Sequence, residues 1–143
     1  VDPFGKLWRR RTTLELPGGE KCDLLSLPDL VQAKKTQRDK DWPMIRRLLE
    51  AHYFQNQTKP TAAQIRFWFL EFRTPELLIE LARRYPALGQ RLIRQRSLLG
   101  HALSGKSDVL EQALRAEETI ERQRDKEHWL PLRRELEILR HAK

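Results

Sequence analysis

The sequence predicts a mainly α-helical chain of six or so helices preceded by one β-hairpin, and three observations carry that expectation. Apolar residues recur at helical spacing through most of the chain after residue 28. Serine, threonine, aspartate and proline stand where those stretches begin. Extended, alternating residues occur in one short region only, between residues 11 and 26.

In chain order, RTTLEL (11–16) alternates and holds β-branched Thr12 and Thr13, EKCDLLS (20–26) turns apolar, and PGGE lies between them. Gly18 and Gly19 are expected to supply the positive φ of a tight turn. Two strands alone are marginal in water, so the hairpin should rest on helices or belong to a larger mixed sheet. Ser26 followed by Pro28 and Asp29 reads as an N-cap with an acid in the first turn, opening a helix over about 28–37. Asp41 and Pro43 repeat the signal for a helix to about residue 56, with Ile45, Leu48, Leu49 and His52 at helical spacing and QRDKD as the polar corner before it.

Residues 58–61 punctuate the chain ahead of an aromatic helix carrying Ile65, Trp68, Phe69 and Phe72. Thr74 and Pro75 open another that Pro86 closes, and a further helix is expected over about 87–98. Gly100 to Ser107 reads as a loop, and Ser107 with Asp108 caps a long charged helix. Pro131 is expected to break it near Trp129, leaving a last helix to about residue 141. Residues 1–57 and 58–143 are the two portions of this organisation, expected to pack as one compact unit.

Composition narrows the function classes. The 143 residues are enough for a hydrophobic core without disulfides, and Cys22 is the sole cysteine. The four histidines, at 52, 101, 128 and 141, are scattered rather than spaced as metal ligands, so no metal site is expected. No apolar run reaches the roughly 18 residues of a spanning helix and the N-terminus lacks a secretory pattern, so a cytoplasmic, non-membrane protein is expected. The first residue, Val1 rather than methionine, suggests that residues once preceded it. A net charge of +8, spread over the whole length, favours nucleotides, RNA or acidic protein surfaces.

Three polar heads concentrate near one corner. Lys34 lies near the end of a predicted helix, Arg38 lies in the bend and Asp41 begins the next helix, so the three can converge. Cations beside a helix N-terminus suit a phosphate, because backbone N–H groups and the dipole add to the side-chain charge. From the residues alone the structural reading is the stronger one, with Asp41 capping its helix, Arg38 pairing with Asp41 or Asp39, and Lys34 and Lys35 in water.

The run LSLPDLVQAKK followed by RDKDW after a strand resembles the second half of minimal nucleotidyltransferase-fold proteins, among them nucleotidyltransferase-like toxins and antitoxins. There a Leu-Ser-x-x-Asp-Leu segment leads to a helix lysine and an Arg-x-x-Asp corner. The resemblance covers roughly residues 4–50. It implies that the hairpin belongs to a larger α+β sheet, that Lys34 faces a nucleoside triphosphate, and that Arg38 and Asp41 shape the same pocket. It further implies magnesium as cofactor, bound by a Gly-Ser loop and an Asp-x-Asp strand. That segment is missing here: no Gly-Ser precedes an Asp-x-Asp, and Asp39 and Asp41 share the spacing in a helix corner. Asp23, near the end of the second strand, reads either as a stand-in for a third carboxylate or, in the plainer reading, as an exposed strand acid. The chain as given is therefore expected not to catalyse transfer.

The rival expectation is a non-enzymatic helical module. Arg83, Arg84, Arg91, Arg94 and Arg96 lie in a stretch with no acidic residue between 81 and 107, and several can share a face for RNA phosphates, with Trp68, Phe67 or Tyr85 for stacking. The helices of 108–143 would be the surface for a protein partner. Ser104, in SGKS, lacks the glycine and strand of a phosphate-binding loop, and Cys22 has no base beside it.

Overall fold

Residues 2–141 are described by the computed structural model. Its elements run α1 (Phe4–Arg9), β1 (Thr12–Glu15), β2 (Lys21–Leu24), α2 (Leu27–Lys34), α3 (Asp41–Asn56), α4 (Ala62–Glu71), α5 (Pro75–Arg84), α6 (Pro86–Leu92), α7 (Leu99–Leu103) and α8 (Ser107–His141). The mainly α expectation with one N-terminal hairpin holds. The chain forms two compact units, one ending at Lys34 and one beginning at Lys35. The division falls there rather than at residue 57 because Ile45, Leu49 and Tyr53 of α3 are core residues of the helical body.

In the first unit β1 and β2 pair antiparallel, with Thr12 opposite Leu24 and Thr13 opposite Asp23. Five residues, 16–20, join them. The Leu16 N–H donates to the Glu20 carbonyl and the Gly19 N–H to the Leu16 carbonyl, both at 2.8 Å. Only Gly19 takes a positive φ, 83°, so Gly18 does not share that role as expected. The loop needs one left-handed residue near its end, and a glycine adopts that conformation without Cβ strain. The Thr13 hydroxyl donates to Asp23 at 2.6 Å, and Arg11 lies 3.1 Å from the same carboxylate. Asp23 is thus occupied as a cross-strand partner. The cap read from Ser26 is present: its Oγ accepts from the Asp29 N–H at 3.3 Å and donates to the Asp29 carboxylate at 2.6 Å.

The second unit is built on an aromatic centre. Tyr53 meets Trp68 edge-on at 5.0 Å and Phe72 at 5.5 Å, and Trp68 stacks on Phe72 at 6.3 Å. Each polar handle of this cluster is satisfied, as buried aromatic N–H and O–H groups require. Trp68 Nε1 donates to His52 Nδ1 at 2.9 Å, and the Tyr53 hydroxyl donates to Glu80 at 2.6 Å. Burial pushes His52 below the ordinary histidine value, in keeping with a neutral ring whose Nδ1 accepts. Burial and the Glu80 hydrogen bond push the Tyr53 hydroxyl up to about 12. At the start of α4, Thr61 and Gln64 exchange the two hydrogen bonds of a capping box. Thr74 precedes α5 without capping it, because its hydroxyl donates to Glu50 instead, at 2.5 Å.

Three expected boundaries are corrected. The helix foreseen over 87–98 stops at Leu92, and the foreseen loop 100–107 begins with the helical turn α7. The buried residues Leu98, Leu99 and Ala102 draw this segment onto the core. Gly105, at φ 67°, then releases the chain into α8. Instead of ending near Trp129, α8 runs as one helix through Pro131. The missing N–H strands only the Glu127 carbonyl, and Glu127 is exposed, where a carbonyl is open to solvent. With α1 and α7, eight helices replace the six or so expected among the described residues.

A charged network ties α8 to this body. Arg96, 6 % exposed, donates to the carbonyls of Phe69 and Phe72 at 2.9 Å each and to Glu117 at 2.7 Å. Arg73 pairs with Glu117 at 2.6 Å and Glu121 at 2.8 Å, and Lys35 lies 2.7 Å from Glu71 and 3.1 Å from Glu121.

Candidate functional site

The corner before α3 is stiffened by its own short polar side chains. The Thr36 hydroxyl donates to Asp41 at 2.5 Å and accepts from the Arg38 N–H at 3.2 Å. Trp42 Nε1 donates to the Thr36 carbonyl at 2.8 Å. Arg38 Nε donates to Asp41 Oδ2 at 2.8 Å. Asp41 is 1 % exposed and its Oδ2 accepts from both of these donors, so it aims Arg38 and does not present itself to a ligand. The Arg38 guanidinium remains half-exposed, at 53 %, with its direction set from behind.

Of the three heads singled out from the sequence, the structure brings Arg38 and Asp41 together. Lys34 closes α2 in the first unit. The structural alternative for Arg38, pairing with Asp41, is realised. Asp41 sits in the first turn of α3 and makes no side-chain cap. Asp39 turns outward and pairs with Arg122 of α8, so Asp39 and Asp41 face different partners. The residues present do not fit a two-magnesium carboxylate site: Asp41 is buried and bonded to Thr36 and Arg38, Asp39 is engaged by a guanidinium, and no metal-holding group of three His, Cys, Asp or Glu occurs among the described residues.

Beside Arg38 opens a hollow of about 360 Å³. Thr36, Gln37 and Arg38 of the corner form one wall, and Trp129, Leu132, Arg133 and Leu136 of α8 line the rest. Asp125 joins the two sides: its carboxylate accepts from the Gln37 N–H at 2.9 Å and from Trp129 Nε1 at 3.1 Å. Comparison with protein-family models, curated proteins and solved structures returns no match. The chemistry of this hollow therefore stands on its own residues, a guanidinium from each side, an indole and an apolar floor.

Nothing in the local sequence announced Trp129 and Arg133, which lie about ninety residues from the corner. The available signal was Asp125 and Trp129 at i,i+4, and a helix expected to end there conceals it.

The second cluster divides. Arg83, Arg84, Arg91 and Arg94 are exposed, whereas Arg96 is withdrawn from that face into the carbonyls of Phe69 and Phe72 and the Glu117 carboxylate. Trp68 is fully buried and cannot stack on a base, and Tyr85 is covered by the Arg84 guanidinium at 5.4 Å. Ser104 donates to the carbonyls of Gly100 and His101. No described helix is long and apolar enough to cross a membrane.

Proposed function

We propose that this is a nucleotidyltransferase-like protein that holds a nucleotide through its phosphates at the Arg38 corner. One observation carries the reading: Arg38 is half-exposed on a hollow while a buried carboxylate fixes its direction. A guanidinium oriented from behind loses little rotamer freedom when an anion arrives. The chain alone is not expected to transfer a nucleotidyl group, since its sequence holds no Gly-Ser loop ahead of an Asp-x-Asp.

The test is titration of ATP, GTP, CTP and UTP, each with magnesium, followed by calorimetry. Arg38→Ala should weaken binding about tenfold or more, the effect of one charge-assisted hydrogen bond. If all four nucleotides fail to bind, the reading falls.

A second reading, an RNA-binding face, is favoured by a separate observation. Arg83, Arg91 and Arg94 are exposed, and none enters an ion pair among the described residues. Binding of a generic RNA should then fall steeply with salt and with the double change Arg91→Glu, Arg94→Glu. Indifference to both removes this reading.

A further inference from the structure

Trp129 is exposed to 44 % and is held by the edge of its ring. Its ring N–H is held by Asp125 at 3.1 Å, and Asp125 is itself fastened to the corner through the Gln37 N–H at 2.9 Å. His128 stands edge-on to the indole at 5.1 Å. An aromatic side chain tethered by its edge offers a wall whose orientation costs nothing to set when a ligand arrives. Arg133 lines the same hollow one turn further along α8 and enters no ion pair among the described residues. Its guanidinium shares the hollow with the Asp125 carboxylate without pairing to it, while that of Arg38 is paired with Asp41.

This combination selects among ligands. A bare phosphate uses the guanidiniums and leaves the indole idle; an apolar ligand uses Trp129, Leu132 and Leu136 and leaves two cations in water. A planar heterocycle carrying phosphates uses both. Both Asp125 oxygens are committed to N–H donors and its charge repels phosphate, which places the anionic end toward Arg38 and Arg133. We propose that α8 completes the nucleotide site: the base lies against Trp129 and the phosphates are held between Arg38 and Arg133. This rests on the nucleotide reading above and adds to it a base-contacting residue, Trp129, and a second phosphate-binding residue, Arg133.

The experiment compares ATP with inorganic triphosphate by calorimetry, on the full chain and on Trp129→Ala, Trp129→Phe and Arg133→Ala. Far-UV circular dichroism checks that each variant is folded. Stacking on one base predicts that Trp129→Ala weakens ATP about tenfold or more and leaves triphosphate unchanged. Trp129→Phe, which keeps a ring without the tethering N–H, should recover most of the ATP affinity. Arg133→Ala should weaken both ligands. If ATP and triphosphate bind equally and Trp129→Ala alters neither, α8 has no part in base recognition, and the phosphate site at Arg38 stands without it. If neither ligand binds the unaltered chain, both proposals are lost.

Discussion

Replacing Arg96 with methionine preserves the length of the side chain and removes its charge and its donors. Four acceptors then lose a partner: the carbonyls of Phe69 and Phe72, near the end of α4, and both oxygens of Glu117. A buried acceptor left without a donor costs about 1–3 kcal/mol. Breaking a buried charge pair costs about 3–5 kcal/mol. The second figure needs a discount, because Glu117 is 26 % exposed and keeps Arg73 at 2.6 Å. The carbonyls, by contrast, have no replacement within the core. A loss of about 3 kcal/mol follows, which for a helical body of this size lowers Tm by about 10 °C. Urea unfolding at pH 7, read by tryptophan fluorescence, measures it. Arg91→Met is the internal reference, since Arg91 is exposed and makes no ion pair among the described residues. Were the two variants to unfold within about 1 kcal/mol of each other, the reasoning that separates an inward arginine from its neighbours would be refuted.

The remaining expectations concern the same body. Burial would raise the Glu117 carboxyl, but the Arg96 hydrogen bond and the charges of Arg96, Arg73 and Lys35 hold it below the ordinary value of 4.5. A carboxyl lower in the folded state stabilises fully above its unfolded value, and that contribution drains away as the pH falls below about 4.5. Glu117→Gln should accordingly be less stable at pH 7 and show a shallower loss of stability on acidification, measured by urea unfolding across the acid range. At Gly89 a Cβ would stand 3.3 Å from Leu103 Cδ2 and from two ring atoms of Phe69. Because Phe69 is fully buried and cannot yield, Gly89→Ala should destabilise by about 1 kcal/mol despite the gain in helix propensity, checked by thermal unfolding. Pro131→Ala restores one backbone hydrogen bond to an already continuous helix, so helical circular dichroism should hold or rise slightly; a large gain would mean that the proline had interrupted α8.

Helix starts were legible because they are local chemistry. Ser26 with Asp29 and Pro75 after Thr74 declare themselves within four residues, and the alternation of 11–16 marked the hairpin. The Arg38 and Asp41 pairing was legible as one of two alternatives, since three residues separate them. Helix ends were less so: α7 forms inside a glycine- and serine-rich stretch because Leu99 and Ala102 find a core there, and α8 passes Pro131 because one unpaired carbonyl faces water.

Taken alone, the sequence determined the helical class, the one hairpin and the stiff polar corner, because each depends on residues within a turn or two of one another. Tertiary structure decided which arginine is structural and which is free. Arg91, Arg94 and Arg96 share a composition and a neighbourhood, yet only Arg96 points at the end of α4, where carbonyls lack helical partners. It also decided that Asp125, Trp129 and Arg133 meet the corner at residues 36–38. No local spacing encodes a contact across about ninety residues; it exists because burying Leu110 and Leu114 lays α8 along the body, and the rest of that helix follows as a rigid rod.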